Sequence, residues 1–190
     1  MGKIIHLDKI REFIEKTPVF RAVDIELLTG NKEYAHLILH KLEKRGEIKR
    51  ILKGWYSTFS DPTISVFCFK PAYIGLQEAL SLHALWEQET STVIVTIRKV
   101  RIGIRNIFGT NVVLHRINKK YFFGFDFMKY ENFFIPVSDV EKTLIDLVYF
   151  KELPPKYVLT KMSKELNKRK LKEYLKRYPY WVKKKLEKIV

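Results

Sequence analysis

The sequence predicts an α+β protein built in two parts, with a basic helical tail at its carboxyl end. Three observations carry that expectation. Within the first sixty residues, apolar spacing marks three short helices followed by two strand-like runs around a tight turn. Between residues 91 and 137, several segments are dense in β-branched and aromatic side chains. After Pro154-Pro155, apolar residues recur at helical spacing among many lysines.

The elements follow in order. Ile10, Phe13 and Ile14 give residues 4–15 a helical apolar stripe, which the Thr17-Pro18 break ends. A short extended piece through Val19 and Phe20 leads to a second helix over Asp24 to Thr29, stopped by Gly30. Asn31 is a good N-cap for a third helix reaching Arg45, with Gly46 as its terminator. Ile48 to Leu52 and Trp55 to Ser57 then read as a hairpin turning at Lys53-Gly54. Three helices and a hairpin in this order are the layout of a winged helix-turn-helix, here assigned to residues 1–60.

Asp61-Pro62 opens the second part, residues 61–190. Ser65 to Phe69 reads as a strand and Gly75 to Trp86 as a helix. Ser91 to Ile97, Asn111 to Ile117, Lys120 to Phe127 and Phe133 to Val137 read as further strands of a mostly antiparallel sheet. Ser138 with Glu141 three residues on has capping-box spacing, so a helix is expected over residues 138–150. Within residues 151–190, the stripes Leu159/Met162/Leu166, Leu171/Tyr174/Leu175 and Val182/Leu186/Ile189 predict three short amphipathic helices.

The chain holds 36 Lys+Arg against 21 Asp+Glu, a formal charge of +15 in 190 residues. Residues 1–60 carry 12 basic and 8 acidic side chains (+4), residues 61–150 carry 10 and 9 (+1), and residues 151–190 carry 14 and 4 (+10). Such an excess favours nucleic acid or another acidic partner. The lone Cys68 excludes an intrachain disulfide framework and fits a reducing, cytoplasmic setting. No apolar run approaches the roughly 20 residues of a membrane span, and Asp8 interrupts the start before a secretion signal forms. Few glutamines among many Lys and Glu give a thermophile-like composition.

The third helix supplies the candidate reading surface. Ala35, Ile38, Leu39 and Leu42 fall on one side of its wheel and face the core. The other side presents His36 and His40 for base edges, while Lys32, Lys41 and Lys44 are placed to contact phosphates. In the hairpin, Lys49, Arg50 and Lys53 form a cationic wing beside Trp55 and Tyr56, which are expected to be hairpin core. The i, i+4 pair His36/His40 also has metal-ligand spacing, but no acidic or thiol partner stands nearby, so no metal or cofactor is expected.

The run KLEKRGEIKRILKGWYS (41–57), with YIGLQEALSLHAL (73–85) and PVSDVEKTLIDLV (136–148), resembles the AbiEi-type antitoxins of type IV toxin-antitoxin systems. The resemblance covers most of residues 10–150 and implies a repressor whose winged helix recognises inverted repeats in its own promoter, as a homodimer or by paired binding. It further implies that the second domain counteracts a nucleotidyltransferase-like toxin without requiring a stable complex. It carries over the wing positions Lys49, Arg50, Lys53 and Gly54 and a helix motif, Glu141, Lys142, Thr143 and Asp146. Some relatives are solitary regulators. From the residues alone, Glu141 reads as a capping residue and Asp146 as the holder of a local hydrogen bond. Lys168, Lys172 and Lys176 lie four apart in the tail and form a candidate surface for non-specific DNA or a protein partner.

An enzyme is not expected: there is no phosphate loop, nucleophile elbow or Cys/His cluster, and Glu141-Lys142 lack the strand spacing of a metal-dependent nuclease. An RNA-binding module would use Phe122, Phe123, Phe125 and Phe127 as stacking platforms. His83 is expected to be a satisfied core histidine, and His115 to have no partner.

Overall fold

A computed structural model of the protein describes residues 2–88 and 91–189. The chain divides into two compact units, residues 1–68 with 107–109, and residues 69–106 with 110–190.

In the first unit, α1 (Gly2–Lys16) leads through β1 (Phe20–Arg21) to α2 (Ala22–Thr29) and α3 (Lys32–Lys44). Asp24 accepts the Arg21 backbone N–H at 2.7 Å, which fixes the start of α2. Gly30 ends that helix at φ +66°, a conformation glycine adopts without steric cost. Asn31 then caps α3 as expected, its side-chain oxygen accepting the Tyr34 N–H at 2.8 Å. The hairpin consists of β2 (Lys49–Leu52) and β3 (Trp55–Ser57), and β3 is the middle strand of an antiparallel sheet ordered β1-β3-β2. Phe20 stacks on Tyr56 across β1 and β3, and with Ile10, Ile25, Leu39, Leu42 and Ile48 these rings form one core.

The second unit contains β4 (Ala72–Ile74), α4 (Leu76–Leu82), β5 (Thr92–Thr96), β6 (Gly103–Ile107), β7 (Thr110–Arg116), β8 (Phe125–Tyr130), β9 (Phe133–Ser138) and α5 (Val140–Phe150). Three tail helices follow: α6 (Lys156–Glu165), α7 (Lys168–Leu175) and α8 (Tyr180–Leu186). The sheet order is β6-β7-β5-β4-β9-β8. Pairs β4–β5 and β8–β9 are antiparallel, as expected, whereas β5–β7 and β4–β9 are parallel. The arginines of residues 98–105 hide β6 from pattern reading. That extra strand reverses the chain between β5 and β7 and makes them parallel.

The α+β class stands, and several boundaries move. Ser65 to Phe69 is not a strand but part of a 3₁₀ helix, Pro62–Phe69. Asp61 accepts the Thr63 N–H at 2.7 Å and the Ser65 hydroxyl donates to the Pro62 carbonyl at 2.6 Å, so local bonds outcompete strand pairing. Lys120 to Phe127 is likewise not one strand: Gly124, at φ +72°, breaks the extended run, and β8 begins after it. A Cβ at Gly124 would lie 2.8 Å from the Tyr174 ring and 3.0 Å from the Lys142 Cβ. The helix expected to reach Trp86 stops at Leu82.

The three tail helices form where the apolar stripes place them. Val158, Met162, Leu171, Val182 and Leu186 are buried in the same core as Leu144, Leu147 and Val148 of α5.

Candidate nucleic-acid interface

Amphipathic spacing dictates which side of α3 faces outward. Ala35, Ile38, Leu39 and Leu42 are buried in the first unit's core. Lys32, His36, His40 and Lys44, each one turn from the next, are all exposed, as is Lys41 beside them. The α3 surface therefore carries two hydrogen-bonding imidazoles between terminal cations. On the hairpin, Lys49, Arg50 and Lys53 are exposed, and the Lys49 ammonium donates to the Ser60 hydroxyl at 2.7 Å. Gly54 makes the tight turn at φ +78°. Tyr56 is buried in the core, and Trp55 is half-buried with the Arg21 guanidinium 5.8 Å from its ring centroid. Among the described residues, no group of three or more His, Cys, Asp or Glu is arranged to hold a metal ion.

The helix motif in the second unit has a different character. Glu141, Lys142, Thr143 and Asp146 are all buried, and Lys142 and Asp146 have 0% exposure. The Lys142 ammonium donates to Asp146 Oδ1 and, at 2.9 Å, to the Tyr73 hydroxyl. Tyr73 in turn donates to Asp146 Oδ2 at 2.6 Å, and Tyr178 Oη lies 3.4 Å from Oδ1. The rings of Tyr73, Phe123 and Tyr178 lie 5.2, 5.7 and 5.7 Å from the ammonium. Burial pulls the Lys142 pKa below the ordinary lysine value, against the attraction of the Asp146 carboxylate. Burial, then the Asp146 charge, pushes the Tyr73 and Tyr178 hydroxyls well up, so both stay protonated donors.

The expected capping box gives way to another arrangement. Asp139, not Ser138, caps α5, accepting the Lys142 N–H at 2.7 Å. Ser138 ends β9, and its hydroxyl lies 2.7 Å from the Thr143 hydroxyl. Glu141 accepts the Asn167 N–H at 2.7 Å, so it braces the start of α7 instead of its own helix. Lys170, which sequence reasoning missed, lies 3.0 Å from Asp139 and 3.4 Å from Glu141. Its pKa rises: burial opposes the shift, and the Asp139 hydrogen bond and charge outweigh it. Tyr174 donates to Asp139 at 2.8 Å, and its hydroxyl is pushed up to about 12 by burial and then by that bond. The clue was positional, since Lys170 and Tyr174 flank the buried Leu171 on α7. This closed network joins β4, α5, α7 and the Tyr178 segment, and its geometry is that of a structural hub.

The remaining sequence candidates separate. Lys168 and Lys172 are exposed on α7, as is Lys176 at its carboxyl cap, which pairs with Glu173 at 2.6 Å. Phe122 and Phe125 pack on Tyr73, and Phe123 packs on Tyr174, which leaves Phe127 as the exposed member of the proposed stacking platform. His83 Nε2 lies 2.8 Å from the Ser138 carbonyl, so it is satisfied as expected. His115, read as having no partner, instead lies 3.0 Å from Glu152, at ion-pair distance but without hydrogen-bond alignment. None of the helices among the described residues is long and apolar enough to cross a membrane.

Neither a family model nor a curated protein matches the chain. Among solved structures, it is similar to the crystal structure of the Rv2827c protein from Mycobacterium tuberculosis. That similarity has a TM-score of 0.59 at 11% identity and covers 86% of this chain and 68% of that one. At such identity the likeness is one of fold.

Proposed function

We propose that this protein is a DNA-binding transcriptional repressor whose first unit is a winged helix-turn-helix. In this reading it is the autoregulating antitoxin of a type IV pair, binding inverted repeats in its own promoter and counteracting a nucleotidyltransferase-like toxin. The carrying observation is the exposed face of α3, where Lys32, His36, His40 and Lys44 stand in line beside the exposed hairpin cations Lys49, Arg50 and Lys53. A helix presenting polar side chains at successive turns fits the major groove, and the hairpin cations suit the flanking backbone. The antitoxin half rests on the AbiEi resemblance alone.

The test is fluorescence anisotropy with a duplex carrying the repeats upstream of the gene, against a scrambled duplex, over a salt series. Preference for the operator by roughly 10³-fold or more is expected; equal affinity for both duplexes refutes the reading. Lys53→Ala should weaken binding to all duplexes alike and lower the salt slope by about one unit. Co-expression with the neighbouring nucleotidyltransferase gene tests the antitoxin half, and rescue of growth is the expected result. Operator binding without rescue leaves a solitary regulator.

The tail adds a separate expectation. Lys168→Glu, Lys172→Glu and Lys176→Glu together keep the buried Leu171 and the Lys170 anchor intact. If α7 supplies non-specific affinity, this triple variant binds random duplex more weakly and with a flatter salt dependence. Wild-type binding across the series would make this face a solvated surface or a docking site for protein.

A further inference from the structure

We infer that the carboxyl ends of β5 and β7 form a second nucleic-acid contact, one that grips the phosphate backbone of duplex DNA. The +1 of residues 61–150 conceals a separation of charge: between Glu89 and Asp126 the chain carries seven basic residues and no acidic one. Topology gathers six of them. β5 and β7 run parallel with Thr96 level with Arg116, and the Ile117 N–H donates to the Thr96 carbonyl at 3.0 Å, so the two strands end together. Arg98, Lys99 and Arg101 follow the end of β5, and Arg116, Lys119 and Lys120 stand at the end of β7. All six are exposed. The seventh, Arg105, donates to the Arg101 carbonyl at 2.9 Å and ties the connection after β5 to β6. Asn118 accepts the Lys120 N–H at 3.1 Å, which fixes the turn carrying Lys119 and Lys120.

The neighbouring carboxylates are turned elsewhere. Glu152 lies 3.0 Å from His115, and adjacent positions of a strand point to opposite faces, so Arg116 is directed away from it. Glu131, in the β8–β9 turn, lies at this end of the sheet but two or three strand spacings from β5, roughly 10–15 Å. Among the described residues, Lys99, Arg101, Arg116, Lys119 and Lys120 form no ion pair. Charge of one sign, left unneutralised by the fold, suits a polyanion. The side chains around it select which one. A single strand is held by bases stacked on exposed rings, and a membrane surface by interfacial aromatics. In residues 97–121 the rings are Phe108, half-buried, and Tyr121, buried, while the cations are outermost. Ile102 and Ile104, 57% and 68% exposed, stand beside Arg101 and Arg105, and aliphatic side chains among arginines suit a minor groove between two backbones. The choice of DNA as partner rests on the same reading as α3; the gathering of charge does not.

The experiment is fluorescence anisotropy of the full chain on random duplex across a salt series. Lys99→Ala, Arg101→Ala and Lys119→Ala together should lower the salt slope by about two to three units, since each lost phosphate contact removes about 0.9. The thermal melt should stay at the wild-type value, because the three side chains are exposed. Lys156→Ala, Lys164→Ala and Lys188→Ala remove the same charge from exposed positions of the tail and should lower the slope by less than about one unit. A wild type that does not bind random duplex, an unchanged slope in the first triple variant, an equal fall in both, or tighter binding to phosphatidylserine vesicles than to duplex overturns the inference. Its failure is separable from that of the α3 reading. Operator preference with an unchanged slope removes this surface alone, and a lowered slope without operator preference removes the α3 reading alone.

Discussion

Asp146→Ala should cost the second unit about 3–5 kcal/mol, the largest loss expected from any single exchange in the hub. The carboxylate is fully buried and accepts from Lys142 and from the Tyr73 hydroxyl. Removing it leaves an ammonium in an aromatic cage with one neutral hydroxyl beside it. Without the carboxylate's attraction, burial pulls the native Lys142 pKa further below the 10.5 of the unfolded chain. Because the unfolded state binds the extra proton, stability of the variant rises with pH between the depressed native value and 10.5. Urea unfolding at neutral pH and again nearer 10.5 checks both claims, and a deficit that is small or insensitive to pH refutes them. Lys142→Met in the same background should recover most of the loss, since the unpaired charge is then gone.

His36→Ala with His40→Ala carries the second large effect, on recognition. Each lost base contact should cost roughly 1–3 kcal/mol at one operator position, about 5- to 150-fold in affinity. The two side chains are exposed on successive turns of α3 and make no contribution to the core, so the double variant should melt like wild type. Anisotropy on operator and on single-base operator variants is the measurement. Full retention of operator preference would move the reading face off this side of α3.

What the sequence made legible follows from the range of the forces involved. The first unit is organised by local rules: Asn31 caps α3, Gly30 and Gly54 make the turns, and the period of Ala35, Ile38, Leu39 and Leu42 separates core from surface. The exposed positions of His36 and His40 could be read from that period. In the second unit, the decisive partners are distant. Glu141 has capping-box spacing from Ser138, but Asp139 outcompetes Ser138 for the helix start and Glu141 reaches across to Asn167. Lys142 and Asp146 are four apart, which on an exposed helix signifies a minor surface pair. Only Tyr73, Phe123 and Tyr178, brought in from elsewhere in the chain, turn that pair into a buried hub. Strand β6 was illegible because an edge strand needs no continuous apolar face, and its Arg105 suits solvent.

The hub also orders events during synthesis. Tyr73 and Asp146 are 73 positions apart, and Asp146 and Tyr178 a further 32, so the buried pair acquires its last ring only after Tyr178 has left the ribosome. The three helices and the hairpin of the first unit, by contrast, draw on the contiguous residues 2–57, and local contacts close fast. Translation at about 5–20 residues per second separates the two moments by on the order of ten seconds. The exposed basic helix is thus folded while the second unit is still a nascent, open chain.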